Sequence, residues 1–156
     1  MVLPFFAAQF VWFLLVWTVL ATYFVAPRLR ALPPAEALQI CLVPQLFRVL
    51  GIGLLVPNLS PGMPRSFAVP TAIGDTLTAF LALAAIVALV RGSAAGRPLA
   101  WACTLVGAAD LAIALPHAAA VGAALFMTAQ WYVPALGVPL MIVSHVLAVR
   151  TLLRTG

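Results

Sequence analysis

Three charged residues lie in the middle of long apolar segments of this chain: Arg48, Asp75 and Asp110. An ionised side chain near the centre of a membrane-spanning helix costs roughly 2.5–3.5 kcal/mol on an insertion scale. Such residues therefore pair with one another, face water or serve a function. Because one guanidinium group can engage two carboxylates, we predict that Arg48 bridges Asp75 and Asp110. One arginine and two aspartates leave a formal charge of −1 at this site.

The excess negative charge requires either a protonated carboxyl group or a bound cation or proton. The leading hypothesis is a non-enzymatic, transporter-like membrane protein that binds a small polar or cationic ligand or relays protons. One alternative is an accessory subunit of a larger membrane complex, in which the ion pairs only fix the register of the helices. A third is an intramembrane enzyme that acts on a lipid. Arg48 argues against that enzyme, because it favours the ionised form of both aspartates.

Polar and small residues also follow one face of each of four predicted helices, at spacings of three or four residues. In lipid such faces meet, because small residues allow close approach and polar groups need partners. The three charges fall at nearly the same depth, slightly outside the bilayer centre, at about 1.5 Å per helical residue. The first helix has few polar residues and is predicted to be peripheral. The predicted ligand-binding or proton-binding residues are Arg48, Asp75, Asp110, Gln45, Thr71 and Thr78.

A second set of residues shares a depth nearer the cytoplasmic ends of the predicted helices: Cys41, Cys103 and His145. Thiolate and imidazole ligands suit copper(I) or zinc. However, no two of these residues come from one short motif, and cysteines in such helices usually serve as small apolar residues. They are kept as a secondary metal hypothesis, and the sequence predicts neither a metal nor another cofactor.

The composition identifies the class of protein. The 156 residues are 65% hydrophobic and 7% charged, whereas soluble domains are about 25% charged. At about 20 residues per span there is room for five transmembrane helices and short loops. The absence of lysine excludes a retinal Schiff base, a pyridoxal phosphate aldimine and a Walker-type lysine. The net charge of +5 comes from arginines beside apolar segments and does not indicate nucleic-acid binding.

We predict an all-α fold, a single five-transmembrane-helix bundle in the bacterial cytoplasmic (inner) membrane. Six arginines then lie on one side, which places the N-terminus outside and the C-terminus in the cytoplasm. Segment 117–130 either forms an interfacial helix or extends the fifth span. The expected partners are membrane lipid, a small polar or cationic ligand, and further subunits in an oligomer or larger membrane complex. The spans are predicted over about 4–25, 35–56, 67–90, 98–115 and 128–150.

Overall fold

The computed structural model describes residues 2–154 and contains five long helices. Each helix is long and apolar enough to cross a membrane, and residues 2–154 contain no β-strand. The prediction of an all-helical chain with five candidate spans is therefore confirmed. The helices are α1 (Val2–Ala31), α2 (Pro34–Leu55), α3 (Arg65–Val90), α4 (Gly96–Val121) and α5 (Ala129–Leu152).

Helix α1 continues past its predicted end at residue 25. The turn Ala21–Val25 is a π-helix, in which the N–H of Ala26 donates to the carbonyl of Ala21. Pro27 follows in the first turn of the next segment, where its missing N–H is tolerated. The helix stops only where Leu32 adopts an extended conformation with ψ 153°. The proline therefore changes the type of helix here and does not end it.

Helix α2 changes from an α-helix over Pro34–Leu46 to a 3-10 helix over Phe47–Leu55. Runs of 3-10 helix longer than about four residues are uncommon and often lie at functional sites or in strained segments. Pro44 lies just before the change, and its carbonyl accepts a hydrogen bond from the N–H of Phe47. Arg48 lies in the first turn of this tighter segment, which therefore sets its position.

Helix α4 extends to Val121, beyond its predicted end at residue 115, and includes Pro116. Gly122 ends it with a φ of 63°, a left-handed conformation that favours glycine. His117 consequently belongs to α4. Residues 118–121 also belong to α4, and the segment continues with a 3-10 turn at Ala123–Phe126 and the first residues of α5. It is neither a separate interfacial helix nor a simple extension of the fifth span.

Helices α2, α3, α4 and α5 pack around one another, and α1 lies outside this group against α5. None of the residues Val2–Leu20 is buried, which confirms the peripheral position predicted for the first helix. Two indole groups join α1 to α5. Trp17 Nε1 donates to the carbonyl of Leu136 at 3.1 Å, and Trp131 Nε1 donates to Gln9 Oε1 at 2.5 Å.

Arginine side chains join the chain segments at one end of the bundle. Arg97 Nη2 donates to the carbonyl of Leu152 at 2.7 Å, and Arg154 Nη1 donates to that of Leu29 at 3.0 Å. We call this the arginine end (residues 26–33, 91–97 and 150–154) and the other the opposite end (56–64 and 122–128). The half of the bundle near the arginine end is filled by a core of Leu38, Leu42, Ala82, Ala85, Ala100, Cys103 and Leu152.

Candidate functional site

Arg48 joins three helices through its guanidinium group. Its Nε donates to Asp75 Oδ1 on α3 at 2.8 Å, and its Nη2 donates to Asp110 Oδ2 on α4. The remaining nitrogen, Nη1, donates to the carbonyl of Gly107 at 3.2 Å. The structure thus brings the three predicted charged residues together, with Arg48 between the two carboxylates. We call Arg48, Asp75 and Asp110 the charged triad.

Two glycines make room for the carboxylates of the charged triad. A Cβ atom at Gly51 would overlap the carboxylate of Asp75, and one at Gly74 would overlap that of Asp110. Each carboxylate gives one oxygen to Arg48. Within residues 2–154 the second oxygen of each accepts no hydrogen bond from another side chain or from the backbone. These second oxygens, Asp75 Oδ2 and Asp110 Oδ1, lie close to Gly51 and Gly74, and both aspartates also line the cavity described below.

The charges of the triad do not balance. Arg48 is 1% exposed, and the side chains of Asp75 and Asp110 are 16% and 15% exposed. Among residues 2–154, these two ion pairs are the only ones found. With all three groups ionised, the site carries −1. Burying an unpaired charge away from water costs free energy. A bound proton or cation would neutralise the excess charge and remove this cost.

A cavity of about 430 Å³ borders the charged triad on the side that faces the opposite end. All five helices line it, and the contribution of α1 comes from residues 3–11. Pockets of roughly 300–1,000 Å³ hold drug-sized ligands. Polar side chains of the lining belong to the triad, Thr71 and Gln130, and the rest of the wall is apolar, including Phe6, Phe10, Phe67, Leu111, Met127 and Met141.

The cavity opens to the side, between α1 and α4. Helix α1 packs chiefly on α5, and we call the space between the cavity-lining residues of α1 and those of α4 the gap. The lining residues along this gap are exposed, with Leu3 and Val11 on α1 and Leu115 and Ala119 on α4. The lining of the cavity thus includes both exposed residues of α1 and α4 and the two aspartates.

Of the three uncharged residues predicted for the site, only Thr71 lines the cavity. Gln45 lies one turn nearer the arginine end, and its Nε2 donates to Ser144 Oγ at 2.6 Å. The hydroxyl of Thr78 donates to the carbonyl of Gly74 in its own helix at 2.8 Å. Gln45 and Thr78 are buried. They form a polar layer between the charged triad and the packed half of the bundle.

The structure does not gather Cys41, Cys103 and His145. Within residues 2–154, no three potential metal ligands of the His, Cys, Asp and Glu types lie close enough to hold an ion. Cys41 is buried among apolar side chains, and the thiol of Cys103 donates to the carbonyl of Thr78 at 3.7 Å. His145 packs against the backbone of Gly107, and neither of its ring nitrogens has a hydrogen-bond partner among the described residues.

Gln130 is a site residue that the sequence did not indicate. It is 5% exposed, lines the cavity, and its Nε2 donates to the carbonyl of Leu50 at 2.9 Å. Its Oε1 occupies the space beside Gly53 that a Cβ atom would fill. Gln130 is the only amide side chain in segment 117–130, and this is the feature of the sequence that could have indicated it as a site residue. The helical face on which it lies could not be assigned while the start of the fifth helix was undefined.

The comparisons with known proteins identify a family without a known function. The profile of the family described as "Domain of unknown function (DUF8737)" matches residues 5–153, and the chain therefore belongs to that family. Nothing matches it among curated proteins or among solved structures. The function has to be inferred from the site itself.

Proposed function

We propose that this member of the DUF8737 family is an integral membrane protein that binds an organic cation beside the charged triad. Five helices would span the bacterial cytoplasmic membrane, with the arginine end in the cytoplasm and the N-terminus outside. The cation would lie in the cavity and contact the free oxygens of Asp75 and Asp110. The protein would thereby act as a transporter-like carrier of its ligand.

The observation that carries this proposal is an unbalanced carboxylate charge on the wall of an otherwise apolar cavity. Arg48 satisfies one oxygen of each aspartate and leaves the other free. A bound ammonium group would supply both the missing positive charge and hydrogen-bond donors for these oxygens. Charge-assisted hydrogen bonds of this kind are roughly twice as strong as neutral ones, and apolar surroundings strengthen them further.

The position of the cavity supports a transporter-like role. The cavity lies in the half of the bundle toward the opposite end, while a packed core fills the half near the arginine end. A cavity confined to one half of the bundle is expected for a carrier in one of its states. A proton could balance the same excess charge as the cation, so an exchange of the two is the simplest cycle that keeps the site neutral.

The alternative functions account for less of the site. An accessory subunit held together by the charged triad would need the ion pairs but not a cavity beside them. An intramembrane hydrolase would gain from the side opening, since a lipid could reach the aspartates through it. However, Arg48 contacts both carboxylates, whereas an acid–base pair of aspartates shares a proton between them.

Thermal unfolding of the purified protein in lipid nanodiscs tests cation binding. A series of primary alkylammonium ions of increasing chain length is the probe. A ligand at 100 times its dissociation constant stabilises the folded state by about 2.7 kcal/mol. We expect this stabilisation for the wild type and its loss in Asp75→Asn and Asp110→Asn.

Glu36→Gln is the matched control, because it removes an exposed carboxylate at the start of α2 that does not line the cavity. It should keep the full stabilisation. If both aspartate variants are stabilised as much as the wild type, the proposed function is wrong.

A further inference from the structure

We infer that the ligand is a single-chain amphiphile with an ammonium head group, whose tail lies in the gap between α1 and α4. This inference rests on the proposed function and names the class of its ligand. The head group would contact Asp75 and Asp110, and the tail would run out of the cavity into the acyl chains of the bilayer. The ligand would come from the membrane and not from the aqueous phase.

The side chains that line the cavity favour an amphiphile over a small hydrophilic cation as the ligand. Polar side chains occupy the wall at the charged triad, at Thr71 and at Gln130, and apolar side chains form the remainder. A small hydrated cation would lose water along these apolar walls without gaining polar partners there. An alkyl chain would make apolar contacts with these walls. The head group of an amphiphile would contact the polar side chains, and its tail would contact the apolar ones.

The gap between α1 and α4 has the form that a chain needs. On the α4 side it is bordered by Ala114, Leu115, Ala118 and Ala119, and on the α1 side by Leu3, Ala7 and Val11, all small or apolar residues. Several of these residues are exposed, so the cavity continues to the outer surface of the helices. If that surface faces lipid, as the proposed topology requires, the tail stays in an apolar environment along its whole length.

Charge disfavours a phosphate group, and with it an anionic phospholipid, at the head-group position. A phosphate group would bring further negative charge next to Asp75 and Asp110, and like charges in a poorly solvated site repel strongly. Arg48 could not offset this repulsion, because its guanidinium nitrogens are already engaged by the two carboxylates and the carbonyl of Gly107. A positively charged amine is the head group that complements the site.

The test compares three probes that separate head from tail: dodecylammonium, ethylammonium and dodecanol. Each is added at a few mole per cent of lipid to the protein in nanodiscs, and the shift of the unfolding temperature is measured. Affinity is expressed against the free aqueous concentration of the probe, and it should rise roughly 4-fold for each methylene that the gap covers. We expect dodecylammonium to stabilise the wild type at concentrations at which neither ethylammonium nor dodecanol does.

A pair of neighbouring variants locates the tail. Ala119 and Ala120 are both exposed on α4, but only Ala119 lines the cavity. Ala119→Trp places a bulky side chain in the gap and should weaken dodecylammonium binding by roughly 10-fold, the equivalent of about 1.4 kcal/mol. Ala120→Trp should bind as the wild type does. The comparison of probes on the wild type does not depend on how either variant folds.

The outcomes separate this inference from the proposed function. Equal stabilisation by ethylammonium and dodecylammonium, lost in Asp110→Asn, would keep the cation site and overturn the amphiphile. Equal effects of the two tryptophan variants would overturn the placement of the tail. If neither amine stabilises the wild type, the proposed function fails together with the inference.

Discussion

Replacing Arg48 by methionine removes the group that holds both buried carboxylates. Methionine keeps a long side chain but loses the contacts of the guanidinium with Asp75, Asp110 and the carbonyl of Gly107. Removing one partner of a buried ion pair costs about 3–5 kcal/mol, because the remaining charge is left uncompensated. Two carboxylates lose their partner here, but both border a cavity and are 16% and 15% exposed. We therefore expect a loss of about 3–5 kcal/mol and not twice that amount.

Reversible unfolding in mixed micelles, induced by SDS and followed by the fluorescence of the four tryptophans, measures this cost. A triple variant, Arg48→Met with Asp75→Leu and Asp110→Leu, removes all the charges at once. It should lie within about 1 kcal/mol of the wild type, since apolar replacement of a whole buried ion-pair cluster is often neutral. Arg91→Met, which removes an exposed arginine, controls for the loss of positive charge.

Two results would refute this reasoning. Unfolding of Arg48→Met at the same SDS fraction as the wild type would show that Arg48 does not stabilise the carboxylates. A triple variant as unstable as the single one would show that the side chain of Arg48 matters for packing and not for charge. In either case the triple variant should no longer be stabilised by an alkylammonium ion, which distinguishes binding from a purely structural role of the charged triad.

The remaining predictions concern the room around the carboxylates and the orientation of the chain. We expect the substitutions Gly51→Ala and Gly74→Ala each to lower the free energy of unfolding by about 1–3 kcal/mol, because the added Cβ atom overpacks the site. Gly137→Ala is the control and should not lower it, since the nearest atom to its new Cβ would lie 3.8 Å away. Thermal unfolding in nanodiscs compares the three variants. In whole cells, a membrane-impermeant maleimide should label Asn58→Cys at the opposite end and should label Ala94→Cys at the arginine end only after permeabilisation. The native cysteines are buried, so the reverse pattern would invert the proposed topology.

The five helices and the charged triad could be predicted because their signals are local and strong. Long apolar runs define the helices, and a charge inside such a run has few partners that can satisfy it. Arg48, Asp75 and Asp110 are the charged residues near the middle of the predicted spans, whereas Glu36 and Arg150 lie at span ends. Their pairing therefore followed from elimination, before any distance between them was known.

Prolines caused the main errors in the helix ends. The first and fourth spans are predicted to end near residues 25 and 115, yet α1 and α4 continue through Pro27 and Pro116. Pro27 is accommodated because it follows a π turn and lies in the first turn of the next segment, whereas Pro116 lies inside the α-helix. Such a local change depends on the neighbouring helices, so the single sequence did not show it.

The cavity could not be predicted, because it depends on how far apart the helices lie. The opening exists because α1 packs on α5, through the indole contacts of Trp17 and Trp131, and leaves a gap beside α4. The spacing of residues indicates a helical face but not which part of that face borders a space. Thr71 and Gln45 were accordingly treated alike, although Thr71 lines the cavity and Gln45 lies in the polar layer behind the triad.

The central claim is that the excess carboxylate charge of the cavity holds a cation. An experimental structure of the protein in nanodiscs with dodecylammonium tests it most directly. We expect density for the amine nitrogen within hydrogen-bond distance of the carboxylates of Asp75 and Asp110, continuing as a tail toward the gap between α1 and α4. A cavity without the amine, in which both carboxylates contact only Arg48 and water, would contradict it.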